Sequence, residues 1–299
     1  MRKVIEIDEN VLRDLYINQN LSCTSVSKIY NCDPTTIHNR LKQFNIPRKY
    51  FGGKGKRINI PYDIIYDLYI IKKISPDIIA KNYNCERSTI YEILKKYNIT
   101  EQDKVNTYKL NKLQYDILIG SILGDGHISK VDNDHNYSSF TVGHTIKQVE
   151  YLKAKFEYFK EFCNYNEVKN DKNMYFYHFT TRYLPVFTDY KDISIKETVD
   201  KINDNSFVVW LLDDGHLNKS KAYSIGIKRF TLDEINYTRK ILKEKLDLNS
   251  MYHYRNKEMG ILGKLHFPVT ETMKIFNIIN NSNLNIIANK TMSYKLKTI

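Results

Sequence analysis

Two segments of the chain close in the same way. Residues 116–128 read DILIGSILGDGHI and residues 207–217 read FVVWLLDDGHL, each an apolar run ending in Asp-Gly, with Asp125 and Asp214 as the acids. A helix that stops at such a residue presents a carboxylate where the chain turns off. Two such helices packed side by side bring Asp125 and Asp214 together, and close carboxylates must share a proton or share cations. An oxygen-rich pair suits Mg2+, with Mn2+ as a substitute, the backbone near Gly124 and Asp213 adding ligands and phosphate supplying the rest. A cation bridging two acids at a scissile phosphate activates water and stabilises the departing oxygen, so phosphodiester hydrolysis is the matching reaction. A single apolar-Asp-Gly is more often a helix stop or a turn. Its recurrence in a basic chain is what argues for chemistry.

The elements that must position these acids can be read around them. Gly120 and Gly124 are four apart and share one helix face, which lets a second helix approach closely. The second segment has Val209 and Asp213 at the corresponding places, so the approach is expected to be asymmetric. Gly126 is expected to accommodate an unusual backbone angle after the acid. Downstream, residues 135–146 alternate Phe140, Val142 and His144 with polar or small residues, as a half-buried strand does. Leu152, Phe156, Phe159 and Cys163 make one helical stripe, and residues 173–181 are strand-like. The second half repeats the order with a strand at 221–229, a helix at 233–246, strands at 250–257 and 260–267, and closing helices.

LIGSILGDG (118–126) and FVVWLLDDG (207–215) resemble the two signature helices of the LAGLIDADG homing endonucleases, closest to the monomeric double-motif branch, with Trp210 as the Trp before the second DDG. The resemblance implies an α+β fold with two pseudo-symmetric αββαββα halves, residues 112–200 and 201–299, whose antiparallel sheets form a saddle over the DNA major groove. It also implies staggered cuts with short 3′ overhangs. A Lys near each metal site is implied too. Lys295, in MSYKL, matches the C-terminal one, and Lys191, in YKDIS, the one before the second signature, although Ser194 replaces the usual Pro. His144 falls near the family's polar water-positioning residue. Lys228, Arg229, Arg255, Lys257 and Lys264 are expected to anchor phosphates from the strands. His127 and His216, which follow the motifs, are assigned no role, since oxygen ligands suffice for Mg2+.

Ahead of the first motif lies a duplication. A shift of 53 positions lays Ile7–Ile46 on Ile60–Ile99 with 16 of 40 residues identical, including YNC at 30–32 and 83–85. Each copy divides into three helical segments with cap residues where caps belong: Asp8, Ser22 and Asp33 (followed by Pro34) in the first, Pro61 and Ser75 in the second. The layout resembles helix-turn-helix units. The outward face of the third helix then offers Thr35, His38, Asn39 and Lys42 in one copy and Arg87, Ser88, Tyr91 and Lys95 in the other to a major groove. Residues 1–47 and 60–99 are thus two small all-α units. Residues 48–59 form a basic, Gly-rich linker and 100–111 a second linker.

The 46 Lys and Arg against 34 Asp and Glu give a net charge of +12, which favours a polyanionic partner. No apolar run approaches the roughly 20 residues of a membrane helix, and the start, MRKVIEIDEN, has no signal core. An intracellular protein, cytoplasmic or nucleoid-associated, is expected. Cys23, Cys32, Cys85 and Cys163 have no zinc spacing and are expected to be buried reduced thiols. The leading expectation is a site-specific double-strand DNA endonuclease acting as a monomer on a long site. The alternatives are a transcription regulator on the same scaffold without nuclease activity, and a maturase binding intron RNA.

Overall fold

The computed structural model describes residues 5, 7–19, 21–47, 58–131, 137–170, 175–227, 229–256 and 261–296. Most of the predicted 48–59 linker lies outside the described residues, as do Lys228, Lys257 and the side chain of Arg255. The chain divides into two compact units, one ending at Lys104 and one beginning at Val105.

In the N-terminal unit the two sequence copies fold alike. Leu12, Tyr16, Val26, Ile37 and Leu41 are buried in the first, and Ile65, Tyr69, Ile79, Ile90 and Leu94 are buried at the same five places in the second. The opening helix of each copy widens into a π-turn, at Asp14–Asn18 and Asp67–Ile71. The next helices are Cys23–Ile29 and Pro76–Asn82, and the last are Pro34–Gln43 and Arg87–Lys96. Asp8, Ser22, Asp33 and Ser75 each accept a backbone N–H from the first turn they cap. Asn31 and Asn84, and likewise Asn45 and Asn98, end helices with positive φ of 47–53°. Asparagine tolerates that conformation through local hydrogen bonding.

The 100–111 segment, expected to be a linker, contains a helix at Glu101–Asn106. Asp103 accepts the Thr100 N–H at 2.8 Å and donates its own N–H to the Thr100 hydroxyl at 3.2 Å. This reciprocal cap starts the helix. Lys104 then lies 4.6 Å from the Tyr69 ring centre, and the Tyr69 hydroxyl donates to Glu101. Its polar composition hid a helix that is held by one tyrosine far back in the chain.

The C-terminal unit has two halves of like order. The first central helix, Lys112–Leu123, leads into β1 (Gly126–Ile128) and β2 (Phe140–Thr145), a helix at Val149–Phe159, then β3 (Lys169–Asn170) and β4 (Phe176–Thr180). After the Ile195–Asp200 helix, the second central helix, Asp204–Asp214, leads into β5 (Gly215–Leu217) and β6 (Tyr223–Gly226). The Leu232–Leu246 helix, β7 (Met251–Asn256), β8 (Ile261–His266) and two closing helices complete this half. Each half makes an antiparallel four-stranded sheet, in the orders β1-β2-β4-β3 and β5-β6-β8-β7. β1 and β5, unforeseen because they are only three residues long, begin directly after the two acids. Gly126 pairs with Val142 and Gly215 with Ile225.

The two central helices touch along the face the glycines define. A Cβ at Gly120 would lie 2.3 Å from the Ser206 carbonyl oxygen and 2.6 Å from the Val209 Cβ, and one at Gly124 would lie 2.5 Å from the Asp213 Cβ. The approach is asymmetric in this way: bare backbone on one helix receives side chains from the other. At their starts, Asn111 and Asn203 cap the helices, and Asp116 accepts from Asn203 and Asn205 at 2.7 and 2.8 Å. Gly126 does not take a left-handed backbone angle, contrary to expectation. It is required because a Cβ there would lie 2.8 Å from the Ser121 backbone. Gly215 has the same cause, its Cβ falling 2.1 Å from the Leu211 carbonyl oxygen. Trp210 is buried against Phe230, ring centroids 5.8 Å apart. The four cysteines are unpaired and half-buried rather than buried. Among the described residues no helix is long and apolar enough to cross a membrane.

Alanine is a better helix former than glycine by about 1 kcal/mol, but the Gly120 contact is with backbone that cannot swing aside. Gly120→Ala is therefore expected to lower stability by about 2 kcal/mol in urea unfolding.

Candidate active site

The site stands where the two central helices end. Close packing forces their last residues together, and each helix C-terminus adds partial negative charge. Three carboxylates meet there: Asp125, Asp214 and Asp213, the residue occupying the position of Gly124. Asp213 is buried, and its Oδ2 accepts the Asp125 N–H at 3.3 Å.

Cations from three separate elements offset this charge. Lys155, on the Val149–Phe159 helix, places its Nζ 2.6 and 2.9 Å from the two oxygens of Asp213 and donates to the Ser121 hydroxyl at 3.0 Å. The Tyr151 ring lies under the same Nζ at 4.6 Å. Lys295 donates to the carbonyls of Leu212 and Asp213 at 2.6 and 2.9 Å. One Arg229 nitrogen donates to the carbonyls of Ile122, Leu123 and Gly124 at 3.0, 2.8 and 3.0 Å. Lys295 and Arg229 thus close the C-termini of the second and the first central helix respectively. His144, on β2, is buried between two acids, Nδ1 3.2 Å from Asp125 Oδ2 and Nε2 3.8 Å from Asp213 Oδ1.

The acids sit in different fields. Burial raises the Asp125 carboxyl, but His144, Lys155 and Lys295 outweigh it and hold the group below its ordinary value. Burial, then Asp125 and Asp213, push Asp214 up to about 7. Burial also lowers Lys295, with the three acids pulling the other way. An acid raised this far is short of positive charge, the condition a bound cation relieves.

Of the residues expected at the site, Asp125, Asp214, Lys295 and His144 are gathered there, and Gly120 and Gly124 form the helix contact. Lys191 is elsewhere. It lies 4.0 Å from Asp192 beside a surface hollow shared with Thr188, Glu197 and Lys201. Its neighbour Tyr190 packs against Tyr115, ring centroids 6.3 Å apart, at the start of the first central helix and about 15 Å along it from Asp125. Ser194, in place of the usual Pro, caps the next helix instead. The buried lysine at the acids is Lys155, which apolar stripes on its helix concealed. Arg229 does more than expected: it is exposed, and one of its nitrogens caps a helix end.

Lys264 is exposed on β8, at a hollow of about 670 Å³ lined with Asn218, Ser224, His253, Tyr254, Gly263 and His266. His127 and His216 are exposed on β1 and β5. On the third helices of the N-terminal copies, Thr35, Asn39, Lys42, Arg87, Ser88, Tyr91 and Lys95 are exposed and His38 is half-buried. Arg87 donates to the Tyr91 hydroxyl at 2.8 Å and lies 3.5 Å from Asp77.

Two outcomes follow from the charge arrangement. Lys155→Met leaves Asp213 buried without its partner and is expected to cost about 3–5 kcal/mol in urea unfolding. Adding Asp213→Ala should recover most of that loss. In metal-free buffer, Asp214 keeps its proton in the folded protein up to about 7, whereas the unfolded chain releases it near 3.9. Stability therefore falls as pH rises through this window and levels off above it. Asp214→Asn has no proton to lose, so its stability relative to the parent should grow by on the order of 4 kcal/mol from pH 4 to pH 8, measured with EDTA present.

Comparison with known proteins gives three kinds of match. A family profile described as the LAGLIDADG DNA endonuclease family matches residues 115–276. A RecA protein of Mycolicibacterium flavescens is 31% identical over 117 residues, which are 36% of this chain and 27% of that protein. The chain thus spans about a quarter of the length of this relative. An uncharacterized protein of Methanocaldococcus jannaschii is 25% identical over 210 residues, 64% of this chain and 80% of that protein. Among solved structures, the homing endonuclease I-WcaI bound to its DNA recognition sequence shares the fold with a TM-score of 0.55 at 20% identity, over 67% of this chain and 92% of that one.

Proposed function

The chain belongs to the LAGLIDADG DNA endonuclease family, and on that premise we propose that it is a site-specific double-strand DNA endonuclease, using a divalent cation at a long recognition site. The observation that carries this reading is the convergence of Asp125 and Asp214 at the adjoining ends of the central helices, with Asp214 raised to about 7 by burial and by the neighbouring Asp125 and Asp213. Their carboxylates are oxygen donors of the kind that Mg2+ or Mn2+ takes, whereas the carbonyls of Gly124 and Asp213, expected to add ligands, accept from Arg229 and Lys295 instead. Bound there, such a cation supplies a lowered water pKa and charge stabilisation at the scissile phosphate.

The chain's own groups do the rest. Asp125 and Asp214 would hold the cation and help to place the attacking water. Lys295 uses two of its three N–H donors on the Leu212 and Asp213 carbonyls, which leaves one for the charge that builds on the phosphate. The exposed faces of the two sheets lie over the duplex, with Lys264 at a phosphate and the His253–Tyr254 region at base edges. The third helices of the N-terminal copies extend the recognised sequence through Thr35, His38, Asn39, Lys42, Ser88, Tyr91 and Lys95. The protein acts as a monomer, inside the cell.

Cleavage selection from a random duplex library with Mg2+ or Mn2+ is expected to return one long sequence cut with short 3′ overhangs. Asp125→Asn and Asp214→Asn should each reduce double-strand cutting to background while the gel-shift affinity for the selected site is retained. Full cutting by either variant overturns the reading.

A further inference from the structure

A second kind of ligand stands beside Asp125. The His144 side chain is 1% exposed, and both ring nitrogens are buried without a hydrogen-bond partner. A buried imidazole with neither nitrogen satisfied is costly, so the site is built for something that engages it. We propose that Asp125 and His144 bind one transition-metal ion between Asp125 Oδ2 and His144 Nδ1, with Asp213 orienting the imidazole, which gives this chain a nitrogen ligand and a preference for transition metals over Mg2+. The proposal deepens the endonuclease reading by naming the metal class of the same site, and rests on that reading only for what the metal is used for.

Four observations support it. Asp125, His144 and Asp213 each offer a ligand atom within 4.8 Å of the others. The Nδ1 to Oδ2 separation is 3.2 Å, inside the about 3.0–3.4 Å that separates two ligands each about 2.1 Å from one ion at right or tetrahedral angles. Because the Nδ1–H direction does not meet the oxygen as a hydrogen bond requires, the pair is placed as two ligands converging on a point off the line that joins them. Finally, Nε2 faces Asp213 Oδ1 at 3.8 Å, and Lys155 already balances that carboxylate. A carboxylate that hydrogen-bonds the far nitrogen fixes the tautomer of a metal-binding histidine, and a ring shift of about 1 Å toward Asp213 would make that bond. Asp213 can do this without bringing an uncompensated charge. Imidazole suits later first-row dications, whereas Mg2+ selects oxygen and water.

The test uses the full chain without DNA, so that it does not depend on cleavage. Mn2+ alone is titrated in, and pulsed electron paramagnetic resonance is read for 14N coupling to the bound ion. The expected result is a clear imidazole 14N coupling that disappears in His144→Gln and persists in His127→Gln and His216→Gln. His144→Gln should also weaken Mn2+ binding roughly tenfold or more, with Mg2+ affinity changed by less than about twofold. Thermal melting establishes that the variant is folded, and His144→Asn serves if it is not. Labelling the unaltered protein with 15N-histidine should convert the 14N coupling to that of 15N. Absence of nitrogen coupling in the Mn2+-loaded protein, or its survival in His144→Gln, overturns the proposal. Loss of coupling with intact cleavage would leave the endonuclease reading standing, and coupling without cleavage would do the reverse.

Discussion

The contact on which the rest of the C-terminal unit depends is the one between two helices that meet with bare backbone on one side. Gly120 and Gly124 leave room that Ser206, Val209 and Asp213 fill to within distances no added Cβ would allow. Nothing larger than glycine permits that approach, and nothing less close brings both helix ends to one place. The cost is electrostatic. Two C-terminal dipole ends and three carboxylates then share a small volume, and the chain answers with Lys155, Arg229 and Lys295, each from a different element. The charged site therefore forms only when both halves have closed.

The two halves repeat one topology but not one environment. Asp125 has His144 beside it and lies below its ordinary pKa, while Asp214 is raised to about 7. The difference traces first to the burial of Asp214 and to Asp125 beside it, and then to Asp213, which stands where the first helix has Gly124. That carboxylate raises Asp214, draws Lys155 into the interior and faces the His144 ring. A pseudo-symmetric scaffold thereby holds chemically unequal acids.

The N-terminal copies solve a different problem. Each encloses its own small apolar cluster, built from the same five buried positions, so each can keep its third helix exposed without help from its neighbour. Their polar faces differ in the residues that matter for hydrogen bonding, with Asn39 in one copy where Glu92 stands in the other. Duplication followed by divergence on the outer face preserves the fold, because the inner face alone maintains it.

What the sequence determined by itself was local or periodic: the duplication, the caps at Asp8, Ser22, Asp33 and Ser75, the alternation around Phe140 and Val142, the glycine face of the first central helix, and the paired acids. Each of these is set by neighbours a few residues away, or by a motif long enough to repeat. The three-residue strands after the acids and the helix at Glu101–Asn106 were too short or too polar to show. Only the tertiary structure decided which cations serve the acids. Lys191 and Lys155 are both lysines in the first half, and Arg229 reads like any basic strand-end residue. Their roles depend on where packing carries a side chain tip, several ångströms from its own backbone, and on which helix end is left needing charge. That is a property of through-space distance, which spacing along the chain does not encode.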